Sequence, residues 1–375
     1  MYKLIHIHTD FKFFHDTLKY INPIIYNEII FIGDVDDSIV DILQKLQLPY
    51  KIFNKTETNK VIEVISSFDG VVLNGLDKTK NNLLNQLDKD KKVFLRVFGY
   101  ELYSLNSDKY ISKKTLNLYD DIAFKKYGLK AYIKRKAKRI LNFKYRINKR
   151  HQKEVFSKIV AVLLVNQFEY NELKKYFYLP KFIQVALTRE TPKTFDLSIK
   201  KEEIIIGNSK HIWNNHLDIF KVIKKSRRFN NFKFILFFNY GVNNDYTEVV
   251  RKEANQNNFF LVESFLNSEE FNKFYDTAAA LIINSYRQHA LGNIFSALLS
   301  GTKVYLNKKS STYRWLKHEG FIISEITELS NDIDNNKVKL SIEEYQHNIS
   351  CYNQMKSNYT NINFIENIIN VLKNE

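Results

Sequence analysis

Short apolar runs recur along the chain, each followed by a stretch with the spacing of an amphipathic helix. The second half shows this best. EEIIIGN (202–208) is an apolar run ending near Gly207, and Leu217, Phe220 and Ile223 then recur at steps of three. FKFILFFNYG (232–241) is a second run, and DYTEVVRKEAN after it reads as a helix. NFFLVE predicts a strand, and NSEEFNKFYDTA a helix with Asn267 and Glu270 placed as a capping box. AALIIN (279–284) is a strand, LGNIFSALLS a helix stopped at Gly301, TKVYLN a strand, STYRWLKHEG a helix and GFIIS a strand. Short buried strands alternating with helices mean βαβ units on a parallel sheet.

The first half repeats the pattern less cleanly. KLIHIHTD, EIIFIGD, FDGVVLNG, KKVFLRVFG and SKIVAVLLVN predict strands, most of them followed by helical segments. TRETPKTFDLSIKKE, with Pro192 inside it and Pro180 just upstream, is the best linker. The expected division is a first domain over 1–187, a linker over 188–201, a second domain over 202–340 and C-terminal helices over 341–375.

Composition adds limits. At 44% hydrophobic and 14% aromatic residues the chain can bury substantial cores. No apolar run reaches the roughly 18 residues of a membrane span, and MYKLIHIHTD lacks the basic-then-apolar pattern of a signal peptide. The single cysteine, Cys351, excludes an internal disulfide and fits a reducing compartment. The cytoplasm is therefore the expected address. The net charge of +16 is unevenly spread: residues 134–150 (KRKAKRILNFKYRINKR) carry nine basic side chains and no acidic one. Such a block needs an anionic neighbour or free solvent.

Ligands of open parallel sheets bind beyond the carboxyl ends of the strands. The strand-end residues of the second half are small, polar or cationic: Gly207-Asn208-Ser209, Asn239-Tyr240-Gly241, Asn284 to Gln288, and Asn307-Lys308. In SYRQHALGN, Arg287 and Gln288 occupy a loop and Gly292 opens the next helix. A helix start and a forked guanidinium together suit a phosphate. A tight loop with a packing glycine is the plainer alternative. Neither GxGxxG nor a Walker sequence is present.

Three other signals compete. His6 and His8 share one strand face, as paired metal-binding histidines do, but no series of further ligands follows. Asp34 and Asp36 in GDVDD could hold a divalent ion, although Asp36 or Asp37 also makes a natural cap for DDSIVDIL. The basic run carries Tyr132, Phe143 and Tyr145 but no recognised nucleic-acid motif, so nucleic acid is not an expected partner. Its apolar positions Leu129, Tyr132, Ile133, Ala137, Ile140 and Leu141 instead make an amphipathic helix with a cationic face, which suits an anionic bilayer. Lys134, Arg135, Lys138 and Arg139 are the expected membrane contacts. A solvated basic helix packed on its own domain is the alternative.

The second half resembles glycosyltransferase family 56, whose members transfer 4-acetamido-4,6-dideoxygalactose (Fuc4NAc) from its dTDP derivative to a polyprenyl-diphosphate-linked saccharide. The resemblance rests on IIIGNSKHIWNNH, FNYGVNNDYTEVV and SYRQHALGN, in that order over about 200–325, and more weakly on HIHTDFKF and RVFGYELY. In the last segment this chain has Phe98 and Glu101 where the family tends to have tryptophan and aspartate. The resemblance implies the GT-B type of α/β fold, two doubly wound Rossmann-like domains facing across a cleft. It implies a dTDP-sugar donor on the second domain, a polyprenyl-diphosphate-linked saccharide acceptor entering through the first, no metal or other cofactor, and a peripheral place on the cytoplasmic face of the inner membrane. The donor contacts it suggests are Gly207, Asn208, Ser209, Asn214, His216, Tyr240, Gly241, Arg287, Gln288, Gly292 and Asn293. For the acceptor base, the strand ends offer His8, Asp10 and Glu101; Glu101 is preferred because Gly99 would let the acceptor approach, with Asp10 next. The alternatives are a GT-B enzyme using another nucleotide sugar and a non-catalytic basic protein binding nucleic acid or membrane.

Overall fold

The computed structural model describes residues 1–11, 14–141, 143–187 and 195–373. It contains two all-parallel sheets. The first is built from β1 (Lys3–His8), β2 (Tyr26–Ile32), β3 (Tyr50–Phe53), β4 (Gly70–Asn74), β5 (Lys92–Arg96), β6 (Ala161–Leu164) and β7 (Lys181–Gln184), in the order β3-β2-β1-β4-β5-β6-β7. The second is built from β8 (Lys201–Ile206), β9 (Lys233–Phe237), β10 (Phe260–Val262), β11 (Ala278–Ile283), β12 (Lys303–Leu306) and β13 (Ser324–Glu325), in the order β10-β9-β8-β11-β12-β13. Each sheet starts in its middle and reverses direction once, between β1 and β4 and between β8 and β11. This is the doubly wound arrangement, and the reversal point is where such sheets bind ligands.

The central strands have both faces covered, which is why they read as unbroken apolar runs. All five residues of β4 and all six of β11 are buried. Strands β3 and β7 were not legible as strands: they lie at the sheet edge with half-exposed residues, so no continuous apolar run marks them. The last predicted strand is displaced. Phe321, Ile322 and Ile323 lack strand structure, and β13 pairs through Ser324 and Glu325 alone. The Asn267–Glu270 capping box is formed, with reciprocal bonds of 3.0 and 2.8 Å.

The chain forms two compact units that cut across the linear division. The first holds Met1–Leu105, Lys144–Arg189 and Lys356–Glu375, and the second Asn106–Phe143 and Glu190–Met355. In the first unit the helix Asn361–Lys373 buries Phe364, Ile365, Ile368 and Val371 in one core with Leu4, Val72, Phe94 and Ala161. In the second, the segment from 106 is tied to the sheet's own loops: the Ser112 amide donates to Asn215 Oδ1 (2.7 Å), and the Tyr119 ring stacks on Tyr246 (6.0 Å). Residues 106–143 thus pack with the second sheet, and 356–375 with the first. Residues 188–194 of the expected linker lie outside the described residues.

Candidate active site

At the reversal point of the second sheet, β8 is followed by Gly207, whose φ of +67° opens the loop. A side chain there is disfavoured twice over. The left-handed backbone disfavours one, and a Cβ would stand 3.2 Å from His216 Nε2. Beneath this loop lie Ser209, Asn214 and His216, all fully buried. Asn214 Nδ2 donates to the Ser209 carbonyl (3.0 Å), and His216 Nδ1 meets the Tyr246 hydroxyl (3.0 Å). Burial pushes the His216 imidazole down to about 3, so the ring is neutral.

Three asparagines lock the neighbouring loops. Asn215 Nδ2 donates to the Asn284 carbonyl (2.9 Å), Asn284 Nδ2 to the Asn215 carbonyl (3.3 Å), and Asn307 Nδ2 to Asn284 Oδ1 (2.8 Å). The ends of β8, β11 and β12 are thereby held in register. Onto this frame the structure lays a row of rings and one cation. Tyr240 packs on His211 (5.9 Å), His211 stacks on Trp213 (5.7 Å, 18°), and the Arg287 guanidinium carbon sits 4.0 Å from the Trp213 ring centre. Arg287 is only 7% exposed; Nη1 donates to the Gln288 carbonyl (3.3 Å), and Nη2 lies 3.1 Å from His289 Nδ1. The helix Leu291–Leu299 starts just beyond, presenting the positive end of its dipole. A guanidinium fixed by an aromatic face, beside a helix start, is chemically an anion-binding arrangement.

The reversal point of the first sheet carries titratable groups. His8, the last residue of β1, is buried between Phe14 (5.6 Å) and Phe31 (5.3 Å). Burial, with His6 and Lys80 adding to it, holds its imidazole well below the usual value. Asp77 accepts from the Thr9 hydroxyl, the Lys80 amide (3.0 Å) and the Lys80 ammonium (3.2 Å). Burial raises the Asp77 carboxyl, but these donors outweigh it and the net shift is downward. Lys80 is almost fully buried and also donates to the Asn74 carbonyl (2.6 Å). Glu101 follows Gly99 on the short helix Tyr100–Tyr103. Its Oε1 accepts from the Phe98 amide (3.3 Å), while Oε2 is buried with no hydrogen-bond partner among the described residues. Burial raises this carboxyl to about 7, against the pull of backbone amides and Lys80. Such a group can gain or lose a proton near neutrality.

No protein-family model matches the chain, and no curated protein matches it significantly. Solved structures do match, over whole chains. Anabaena HepE, in complex with UDP and glucose, aligns over 100% of both chains at 11% identity with a TM-score of 0.62. A variant of S. aureus TarM, in complex with fondaparinux, alpha-GlcNAc-glycerol and UDP, aligns over 100% of both at 10% identity and 0.58. A glycosyltransferase from Rickettsia africae covers 99% of its own length at 12% identity and 0.59. The fold is of the two-domain GT-B type.

Within this GT-B fold, the residues expected at the donor divide into three groups. Gly207, Asn208, Tyr240, Gly241, Arg287, Gln288 and Gly292 lie in the strand-end loops or at the helix start, and of these only Gly207 and Arg287 are buried. Ser209, Asn214 and His216 are enclosed and bonded to protein groups, so they shape the loop from below. Asn293 donates to the Tyr275 hydroxyl (2.6 Å), turning its amide toward the preceding helix. Trp213, His211 and His289 were missed; Trp213, one of two tryptophans and set among polar loop residues, was the available signal. In the first unit, Glu101 is buried and Asp10 is exposed, while Asp77 and Lys80 were not foreseen. The paired signals resolve locally: His6 Nε2 meets Asn27 Oδ1 (3.0 Å), and Asp36 caps its helix by accepting from the Ser38 amide (2.9 Å).

The expected membrane residues behave differently from one another. Lys134 is exposed. Arg135 and Arg139 both bind the buried carboxylate of Asp120, and Arg139 also bonds Asp108 (3.1 Å). These two arginines are therefore intramolecular partners rather than free cations. The side chain of Lys138 lies outside the described residues.

Proposed function

We propose that this GT-B protein is a glycosyltransferase that takes its sugar from a nucleoside diphosphate. The observation that carries the reading is Arg287, held 4.0 Å from the Trp213 ring at the reversal point of the second sheet. Its cation would neutralise the diphosphate as the anomeric C–O bond breaks, with the helix Leu291–Leu299 adding its dipole. The Gly207 loop would let the nucleotide approach the backbone. On the first unit, Glu101 is the proposed base. The acceptor hydroxyl would pass its proton to this carboxylate as its oxygen bonds to the anomeric carbon and the diphosphate leaves with the bonding pair.

The finer reading takes dTDP-Fuc4NAc as donor and a polyprenyl-diphosphate-linked saccharide as acceptor, at the cytoplasmic face of a membrane. Its support is the ordered resemblance over about 200–325. A UDP-sugar donor is the second reading, favoured by the UDP in the HepE and TarM complexes. Calorimetric titration of the chain with dTDP and with UDP separates the two, and a donor screen with a short polyprenyl-linked acceptor then reads transfer. Binding of either nucleotide, weakened about tenfold or more by Arg287→Ala, is the expected result. Stabilisation by a DNA oligomer but by neither nucleotide would sink the proposal.

A further inference from the structure

The segment Lys113–Leu141 is two helical stretches joined at Gly128, where the backbone turns (φ +76°, ψ −178°). The side chains show where the two halves go. Arg135 and Arg139 reach back to Asp120, and the Tyr132 ring meets Phe124 edge-on (6.0 Å). These pairs lie symmetrically about residue 128, so the segment is an antiparallel helical hairpin. A glycine is needed at its turn because the left-handed φ penalises any Cβ, even though the space around it is open.

The hairpin has a fixed base and a bare tip. At the base Thr115 and Asp120 are buried, Lys114 Nζ donates to the Leu217 carbonyl (2.8 Å), and Tyr119 stacks on Tyr246. At the tip Phe124, Tyr127, Leu129 and Ile133 are 50, 69, 60 and 56% exposed. Large apolar side chains grouped in this way mark an interaction surface. Around them Lys125, Lys126, Lys130 and Lys134 are exposed, with Asp121 the exposed acid nearby and Asp245 paired to Lys126 (3.0 Å). A second copy of such a tip would be repelled by its lysines. An anionic lipid surface accepts both the apolar residues and the surrounding cations.

We propose that the hairpin tip at Gly128 inserts into the headgroup region of an anionic bilayer, with Phe124, Tyr127, Leu129 and Ile133 entering and the lysines contacting headgroups. Among the described residues no helix is long and apolar enough to cross a membrane, so the contact is interfacial. Tyrosine and lysine suit the headgroup level, where a ring or stem can be buried while its polar end stays wet. The inference deepens the lipid-linked acceptor reading but does not depend on the identity of the sugar.

The test is co-sedimentation of the full chain with phosphatidylcholine vesicles, with and without phosphatidylglycerol. The wild type should sediment with the anionic vesicles, and each lysine replaced at the tip should cost about fivefold in affinity. Leu129→Asp combined with Ile133→Asp should abolish sedimentation with unchanged thermal midpoint and unchanged nucleotide affinity. A Tyr127→Trp reporter should shift its emission to the blue on adding anionic vesicles. The proposal is overturned if wild type and the double variant sediment equally, if the wild type sediments with neither vesicle, if neutral vesicles bind as well as anionic ones, or if the same variants instead dissolve a dimer in solution. Nucleotide affinity is read on every sample, so loss of the transferase reading and loss of the lipid reading give separate results.

Discussion

Arg139 grips Asp120 with both terminal guanidinium nitrogens, at 2.9 and 2.8 Å, and Arg135 adds a third bond at 3.0 Å to the same buried carboxylate. The geometry is the planar, bidentate one that lysine cannot reproduce. Removing one partner of such a pair leaves a buried charge uncompensated. Arg139→Gln should therefore destabilise the protein by about 2–4 kcal/mol, somewhat eased by Arg135. Lys134→Gln, at an exposed position five residues earlier, should stay within about 0.5 kcal/mol. Denaturant unfolding of the two variants checks this, and equal stabilities would mean the pair contributes nothing.

Trp213 is the support of Arg287, so the two should act together on a nucleotide. Trp213→Ala frees the guanidinium and removes a stacking face. Dissociation constants for dTDP or UDP should rise by about fivefold or more, and Arg287→Ala should cost at least about tenfold. The double variant should lose less than the sum of the two free energies because the residues touch. Strict additivity would show that the ring does not position the cation.

Glu101 predicts two pH effects. Its carboxyl is raised from 4.5 to about 7 in the fold, so the folded protein holds a proton there that the unfolded chain releases. Stability should be highest below about 4.5 from this group, fall as pH rises toward 7, and level off above, by on the order of 3 kcal/mol. Glu101→Gln should flatten that slope. As a base the group must be ionised, so transfer should rise through pH about 7 in the wild type. Glu101→Gln should lower turnover at least about a hundredfold with nucleotide binding intact. If turnover survives in this variant and collapses in Asp10→Asn, Asp10 is the base instead.

Gly207→Ala should lower stability by about 1–2 kcal/mol, through the left-handed backbone and the clash with His216. Thermal unfolding reads it directly. A neutral result would mean that the loop tolerates a shifted backbone, and that the close approach of a ligand there is not fixed by the glycine.

What could be read from the sequence follows burial. Ile204, Ile205 and Ile206 announce a central strand because both faces of the sheet are covered. Tyr50–Phe53 does not, because an edge strand is specified by its neighbour's hydrogen bonds rather than by its own side chains. Arg287 and Gly207 were visible because they sit where a strand run stops. Trp213 and Lys80 were not, since their roles arise from residues 74 positions away in one case and from a helix-start lysine folded inward in the other. Arg135 and Arg139 looked like part of a uniform cationic face. Only a turn at Gly128 brings Asp120 to them, and a helical period continued through that glycine points them elsewhere.

The helix Asn361–Lys373 packs on Leu4, Val72 and Phe94, from strands made more than two hundred residues earlier. During synthesis at about 5–20 residues per second, the first hundred residues therefore wait on the order of 15–50 s for the segment that closes over them. Until then Leu4, Val72 and Phe94 face the surroundings of the nascent chain. The first unit is the last to be finished, and a ribosome halted anywhere before residue 361 leaves an open core for chaperones or aggregation to find.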